Sequence, residues 1–85
     1  MKIHVLYFAL VRDAMGRESD DLEFPESELT AGELRAKLIA RGEPWASALA
    51  NGRRIRAAVN QTMVGESGRI ADGDEVAFFP PVTGG

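Results

Sequence analysis

The residues with the clearest chemical potential stand at the end of the chain. Pro80-Pro81-Val82-Thr83-Gly84-Gly85 follows directly on an apolar stretch, and it cannot be a ladder strand, since two prolines lack donors and two glycines lack side chains. The proline pair favours a stiff polyproline II geometry, which lowers the entropy lost when such a segment is threaded into a groove. At roughly 3.3 Å per residue, six residues reach at most about 20 Å. Gly84 and Gly85 have no Cβ, so they can pass a narrow channel and bring the terminal carboxylate of Gly85 close to a nucleotide phosphate. A free carboxylate is inert toward nucleophiles until it is converted to an acyl-adenylate. The chain has neither G-x-x-x-x-G-K-[ST] nor the Rossmann glycine pattern, so an activating enzyme must supply ATP in trans. Sulfur substituted at the activated acyl group gives a thiocarboxylate. With no cysteine in the chain, that sulfur has to come from outside. The competing reading is an inert, frayed end, the usual state of chain termini.

Other candidate groups read as structural. His4, the single histidine, lies in an apolar strand pattern and reads as a strand-edge or surface residue rather than a catalyst. Glu18, Asp20, Asp21 and Glu23 lack the spacing and central glycine of a metal loop and read as a solvated edge. Asp72, Asp74 and Glu75 read as a turn with charged flanks. No metal ligand set is expected. Arg53, Arg54 and Arg56 form a small basic cluster that fits a solvated strand face or a partner contact better than a phosphate site. A net charge of −3 and a pI near 5.0 argue against nucleic-acid or membrane-surface roles, which need a concentrated basic face. The N-terminal apolar run is followed at once by Arg12-Asp13, with no small-residue cleavage site, and is too short to span a membrane. The cytoplasm is the expected compartment.

The elements that must hold the tail follow from periodicity. The 85 residues suit one domain with one modest core, divided into a folded body at residues 1–79 and a tail at residues 80–85. Residues 3–10 predict a strand and residues 11–17 a turn broken by Gly16. Residues 18–24 predict a half-buried strand, making an N-terminal hairpin. Thr30 and Glu33 form a capping box, with Leu29 and Leu34 at the staple positions, and start a helix over residues 31–41 whose stripe is Ala31, Leu34, Leu38 and Ile39. Gly42 sits at the C-terminal cap. A short helix is predicted over residues 45–50 behind Pro44 and before Asn51-Gly52, with Trp45 covering the core. Residues 55–59 predict a half-exposed strand and Asn60-Gln61 a turn. A short strand follows at residues 62–64 and a loop at 65–68, with Ile70 plugging the core. Asp72-Gly73-Asp74 turns into a final apolar strand at residues 75–79. The layout is α+β, one main helix across a mixed sheet, read as a β-grasp with the first and last strands parallel at its centre. Their apolar character is expected to reflect burial on both faces.

Ala57-Ala58-Val59-Asn60-Gln61-Thr62, together with the segment from Asp72-Gly73-Asp74-Glu75-Val76 through Phe78-Phe79-Pro80-Pro81 to Gly85, closely resembles the small subunits of molybdopterin synthase. Val5-Leu6-Tyr7-Phe8-Ala9 and Val11-Arg12 look like that family's first strand. The likeness spans the chain and is strongest from Ala57 onward; residues 17–27 and 65–69 match no family pattern. The resemblance implies a ubiquitin-like β-grasp, adenylation at Gly85 by an E1-like enzyme and conversion to a thiocarboxylate by a sulfur donor such as a cysteine desulfurase or a rhodanese-like protein. It further implies insertion of the tail into a large subunit, in a heterotetramer, with two transfers building the dithiolene of molybdopterin from cyclic pyranopterin monophosphate. Neither a bound cofactor nor a metal is implied for this chain, ATP being used by the activating enzyme. The family's apolar contact positions fall on Phe8, Met63 and Phe79. Competing readings are a sulfur carrier for thiamine or tRNA thiolation, a ubiquitin-like modifier, and an interaction domain with an inert tail. Phe-Pro-Pro-Val favours molybdopterin over the other carriers. The two lysines, Lys2 and Lys37, make self-linked chains a poor fit.

Overall fold

The structure, a computed structural model, describes residues 1–50 and 52–81; Asn51, Val82, Thr83, Gly84 and Gly85 lie outside the described residues. The elements run β1 (Lys2–Tyr7), α1 (Ala9–Met15), β2 (Ser19–Glu23), β3 (Glu28–Thr30), α2 (Ala31–Ala40), α3 (Trp45–Ala48), β4 (Arg56–Val59), β5 (Thr62–Val64), β6 (Arg69–Ala71) and β7 (Glu75–Phe79). Five strands form one sheet in the order β2-β1-β7-β4-β5, and β3 pairs with β6 in a separate ribbon. β1 and β7 are parallel, while the neighbouring pairs in the sheet are antiparallel.

The helix α2 follows from its local sequence. Glu33 N–H donates to Thr30 Oγ1 at 3.1 Å, and Thr30 N–H donates to Glu33 Oε1 at 2.8 Å, so the capping box satisfies two donors that the first turn leaves without helical partners. Leu29, Leu34 and Leu38 are buried in the core with Val5, Tyr7, Ile70, Val76 and Phe78. At the other end Gly42 adopts φ +91° and donates to Ile39 O. Ile70 is fully buried, and Trp45 packs against the core from α3. Arg41 and Arg17 lie over the Trp45 ring at 5.7 and 5.2 Å.

The structure corrects several expectations. The predicted turn at residues 11–17 is a helix, α1, with Val11 and Met15 buried one turn apart and Gly16 at φ +73° as its C-terminal cap. The strand ends at Tyr7 rather than residue 10, because the chain kinks at Ala9, where φ is +51°. No glycine or proline marks that break. β1 and β2 are therefore antiparallel neighbours joined through a helix and not a tight hairpin. The central strands are also not covered on both faces: β1 alternates buried with half-buried residues, and so does β7. One face packs on the helices and the other is open. Finally, the ribbon of β3 and β6 was not anticipated, each strand being three residues long.

The turn between β4 and β5 places both Asn60 and Gln61 at positive φ, 49° and 70°. That is the backbone of a tight primed hairpin, which favours asparagine at the first position and glycine at the second. Asn60 suits its place: its Oδ1 accepts from Glu75 N–H and its Nδ2 donates to Asp74 Oδ1, both at 3.0 Å. Gln61 bears the cost of a left-handed L-residue. Gln61→Gly should therefore raise stability by about 1 kcal/mol, read as an increase of roughly 4–8 °C in the thermal midpoint.

Candidate functional site

The site is built around the end of β7. Val76 and Phe78 face the core, so Ala77 and Phe79 face the opposite, open side. Register then assembles that face. Ser19, Leu6, Ala77, Ala58 and Met63 lie in one row across β2, β1, β7, β4 and β5. The next row toward the end of β7 pairs Phe79 with Arg56. Met63 is 54% exposed, Phe79 and Leu6 are half-buried, and Ala58 is buried beneath its neighbours.

Phe8 completes the second row, though not as the sequence pattern suggested. It is not a strand residue; it is the extended N-terminal cap of α1. Its N–H nevertheless donates to Phe78 O at 3.1 Å, so it continues the β1–β7 pairing by one hydrogen bond and stays 46% exposed. Phe8, Phe79 and Met63 are thus brought onto one apolar face. Leu6, Ala58 and Ala77, which the sequence reading did not single out, lie between them. Their signal was present in the alternation: they occupy the strand positions out of phase with the core residues. Leu10, 65% exposed on α1, extends the apolar surface beyond Phe8.

The ladder stops at Phe79. Pro80 and Pro81 follow, half-buried and outside the strand, as their missing N–H groups require. The remaining predicted tail residues, Val82, Thr83, Gly84 and Gly85, fall outside the described residues. At the opposite end of β7 the backbone is fastened by polar contacts. Asp74 Oδ2 accepts from Ala71 N–H at 2.8 Å, Asp74 O accepts from His4 N–H at 3.0 Å, Gly73 N–H donates to Lys2 O at 2.7 Å, and Lys2 N–H donates to Asp72 Oδ1 at 2.6 Å. Asp72 and Asp74 therefore serve the turn. His4 meets Asp21 at 2.6 Å on the sheet surface, an exposed pair. Among the described residues no group of three or more histidines or acids is placed to hold a metal ion, and no helix is long and apolar enough to cross a membrane.

Under the open face, a buried polar contact ties β1 to β2 and α3. Tyr7, 1% exposed, donates from its hydroxyl to Asp20 Oδ2 at 2.7 Å and accepts from Trp45 Nε1 at 3.0 Å. Burial, reinforced by the Asp20 carboxylate, pushes the phenol above its ordinary range and keeps it protonated as a donor. Arg17 holds the other side of Asp20.

A mixed five-stranded sheet with its first and last strands parallel, one main helix across it and a proline-led end beyond the central strand defines a ubiquitin-like β-grasp protein. The chain belongs to the ThiS family, whose model matches residues 5–85. It is 47% identical over 85 residues to the molybdopterin synthase sulfur carrier subunit of Escherichia coli K12, covering 98% of this chain and 99% of that one. Among solved structures it resembles a putative molybdopterin converting factor subunit 1 from Pyrococcus furiosus, with a TM-score of 0.76, 27% identity and coverage of 96% and 99% of the two chains. It also shares its fold with a chain in the complex of subunits 1 and 2 of the molybdopterin-converting factor from Helicobacter pylori 26695, with a TM-score of 0.65 and 24% identity over 100% of both chains.

Tyr7→Phe removes the hydroxyl that Asp20 and Trp45 share. It should lower unfolding free energy by about 1–3 kcal/mol, the cost of leaving a buried donor unpaired. Denaturant titration followed by the fluorescence of Trp45, the single tryptophan, measures the loss.

Proposed function

We propose that this chain is the sulfur-carrier subunit of a molybdopterin synthase and that the Gly85 carboxylate is the group it loads. The observation that carries the reading is positional: the central strand of a rigid sheet ends at Phe79 beside an apolar open face, and two prolines launch the Gly-Gly end from that point. The kinship with molybdopterin synthase sulfur carrier subunits supports it along the whole chain.

In this scheme the Gly85 carboxylate attacks the α-phosphate of ATP held by an E1-like enzyme and expels pyrophosphate. The outer sulfur of a persulfide on a cysteine desulfurase or rhodanese-like donor then attacks the acyl carbon as AMP leaves. A second thiol reduces the resulting acyl disulfide, releasing the thiocarboxylate and leaving the donor sulfur and that thiol joined as a disulfide. The large synthase subunit receives the tail and holds the substrate, cyclic pyranopterin monophosphate. Sulfur passes to the substrate, and two such transfers complete the dithiolene. The body contributes no catalytic side chain. It contributes a rigid footing, a tail with little entropy to lose at Pro80-Pro81, and a surface that docks. Phe8, Met63 and Phe79 are the anchors of that surface, since apolar residues grouped at the centre of an interface account for most binding energy. The solved complex of subunits 1 and 2 that contains a chain with this fold supports a large-subunit partner, and the scheme takes the assembly to be a heterotetramer.

Incubation with ATP, the cognate activating enzyme and a sulfur donor, followed by intact mass measurement, tests the assignment. Replacement of one oxygen by sulfur at Gly85 is expected. Covalent attachment to other proteins would instead indicate a modifier, and no product with a competent activating enzyme would indicate an inert tail. Deletion of Gly85 should leave the thermal midpoint unchanged and abolish loading; a truncated chain that still acquires sulfur refutes the site. Phe8→Ala should weaken binding to the large subunit about tenfold or more, measured by calorimetry, without loss of fold.

A further inference from the structure

We infer that Arg54 and Arg56, supported by Arg53, form a second part of the docking surface, one that meets carboxylates at the rim of the large subunit's tail-binding cleft. The inference rests on the proposed insertion of the tail into that subunit. Arg56 is the cross-strand neighbour of Phe79, the last ladder residue before the tail. Any protein that closes over Phe79 and Pro80-Pro81 therefore covers Arg56 as well. A guanidinium taken out of water without a partner is strongly unfavourable, so the covering surface must provide acceptors. The planar five-donor fork of arginine matches a carboxylate in bidentate geometry.

Three further observations favour a dedicated contact over a solvated strand. Arg53, Arg54 and Arg56 are all exposed, and among the described residues none of them takes part in an ion pair. The loop that delivers them is also pinned. Arg35, on α2, donates to Leu49 O at 2.8 Å, to Ala50 O at 2.6 Å and to Arg53 O at 3.0 Å, and Arg53 N–H donates to Ala50 O. Desolvation lowers the Arg35 pKa from its ordinary value. One internal arginine thus fixes the backbone from which the outer arginines project, and little loop entropy remains to be lost on docking. Third, the charge is segregated. In a chain of net charge −3, Asp72, Asp74 and Glu75 gather at the start of β7, and the arginines gather where it ends.

Geometry also selects the occupant. Six residues separate Phe79 from Gly85 and can span at most about 20 Å, so arginines beside Phe79 meet the mouth of a channel that an extended tail enters rather than its bottom. Their partner is a protein surface. The large subunit is the occupant because the proposed function inserts the tail there, and a surface that closes over Phe79 reaches its cross-strand neighbour Arg56.

The test measures association of the full-length chain with the large subunit by stopped flow, at low and at physiological salt. Wild type is compared with Arg54→Glu/Arg56→Glu and Arg54→Gln/Arg56→Gln; the glutamine pair settles the question if the glutamate pair does not fold. The expected result is a fall of about tenfold or more in association rate at low salt for the charge reversal. The glutamine pair should fall between, and the differences should shrink as salt rises. Equal rates and equal salt dependence across the three proteins overturn the inference. An equal fall in thiocarboxylate loading overturns the assignment to the large subunit in favour of the activating enzyme. A wild-type chain that does not bind the large subunit at all refutes the proposed function itself, a result distinct from a failure of the arginines alone.

Discussion

The parallel pairing of β1 with β7 is the constraint from which the rest of the structure follows. A parallel pair cannot be made by a hairpin, so the chain between Tyr7 and Glu75 must cross over, and the helices and remaining strands are what it does on the way. β7 also pairs with β4 on its other edge, which places it in the middle of the sheet. A central strand has both edges occupied and no freedom to slip, because a one-residue shift would exchange Val76 and Phe78 with Ala77 and Phe79 between core and surface. The Asp72-Gly73-Asp74 turn and Asn60 fasten its first residue to three neighbouring segments. The position of Phe79, and so of the point where the tail begins, is fixed as a consequence.

That arrangement separates two properties a carrier needs. The body buries Val5, Tyr7, Leu34, Leu38, Ile70, Val76 and Phe78 almost completely, and a close-packed interior of this kind has low compressibility. The proposed function assigns the chemistry to the tail that follows Phe79. Between them lies the open sheet face, where Leu6, Ala58 and Ala77 join Phe8, Met63 and Phe79 in a continuous apolar surface. Under the proposed function, a partner that binds this surface meets the chain where the ladder ends at Phe79.

The polar interior plays a supporting part. Tyr7 bridges Asp20 and Trp45, and Arg35 holds three carbonyls of the loop before β4. Each joins segments distant in sequence. Both use a group that is costly to bury alone and specific once paired, and both lie on the side of the sheet that the helices cover.

Much of this was legible in the residues themselves. The capping box at Thr30 and Glu33, the leucine stripe behind it, the Asp-Gly-Asp turn and the proline-terminated final strand are local patterns, and local physics decides them: cap hydrogen bonds, helical period and the missing proline N–H. Phe8, Met63 and Phe79, positions that the family resemblance implied, lie on one face of the sheet, with Phe8 as a helix cap and not a strand residue. What only the tertiary structure decided were features whose cause lies elsewhere in the chain. Residues 9–15 form a helix because β1 ends where its pairing with β7 ends, and the kink at Ala9 carries no glycine or proline to announce it. β3 and β6 are too short to show a period and exist only because they meet each other. Which face of β1 and β7 stays open depends on the helices covering a single side, a matter of three-dimensional packing to which the composition of either strand is blind.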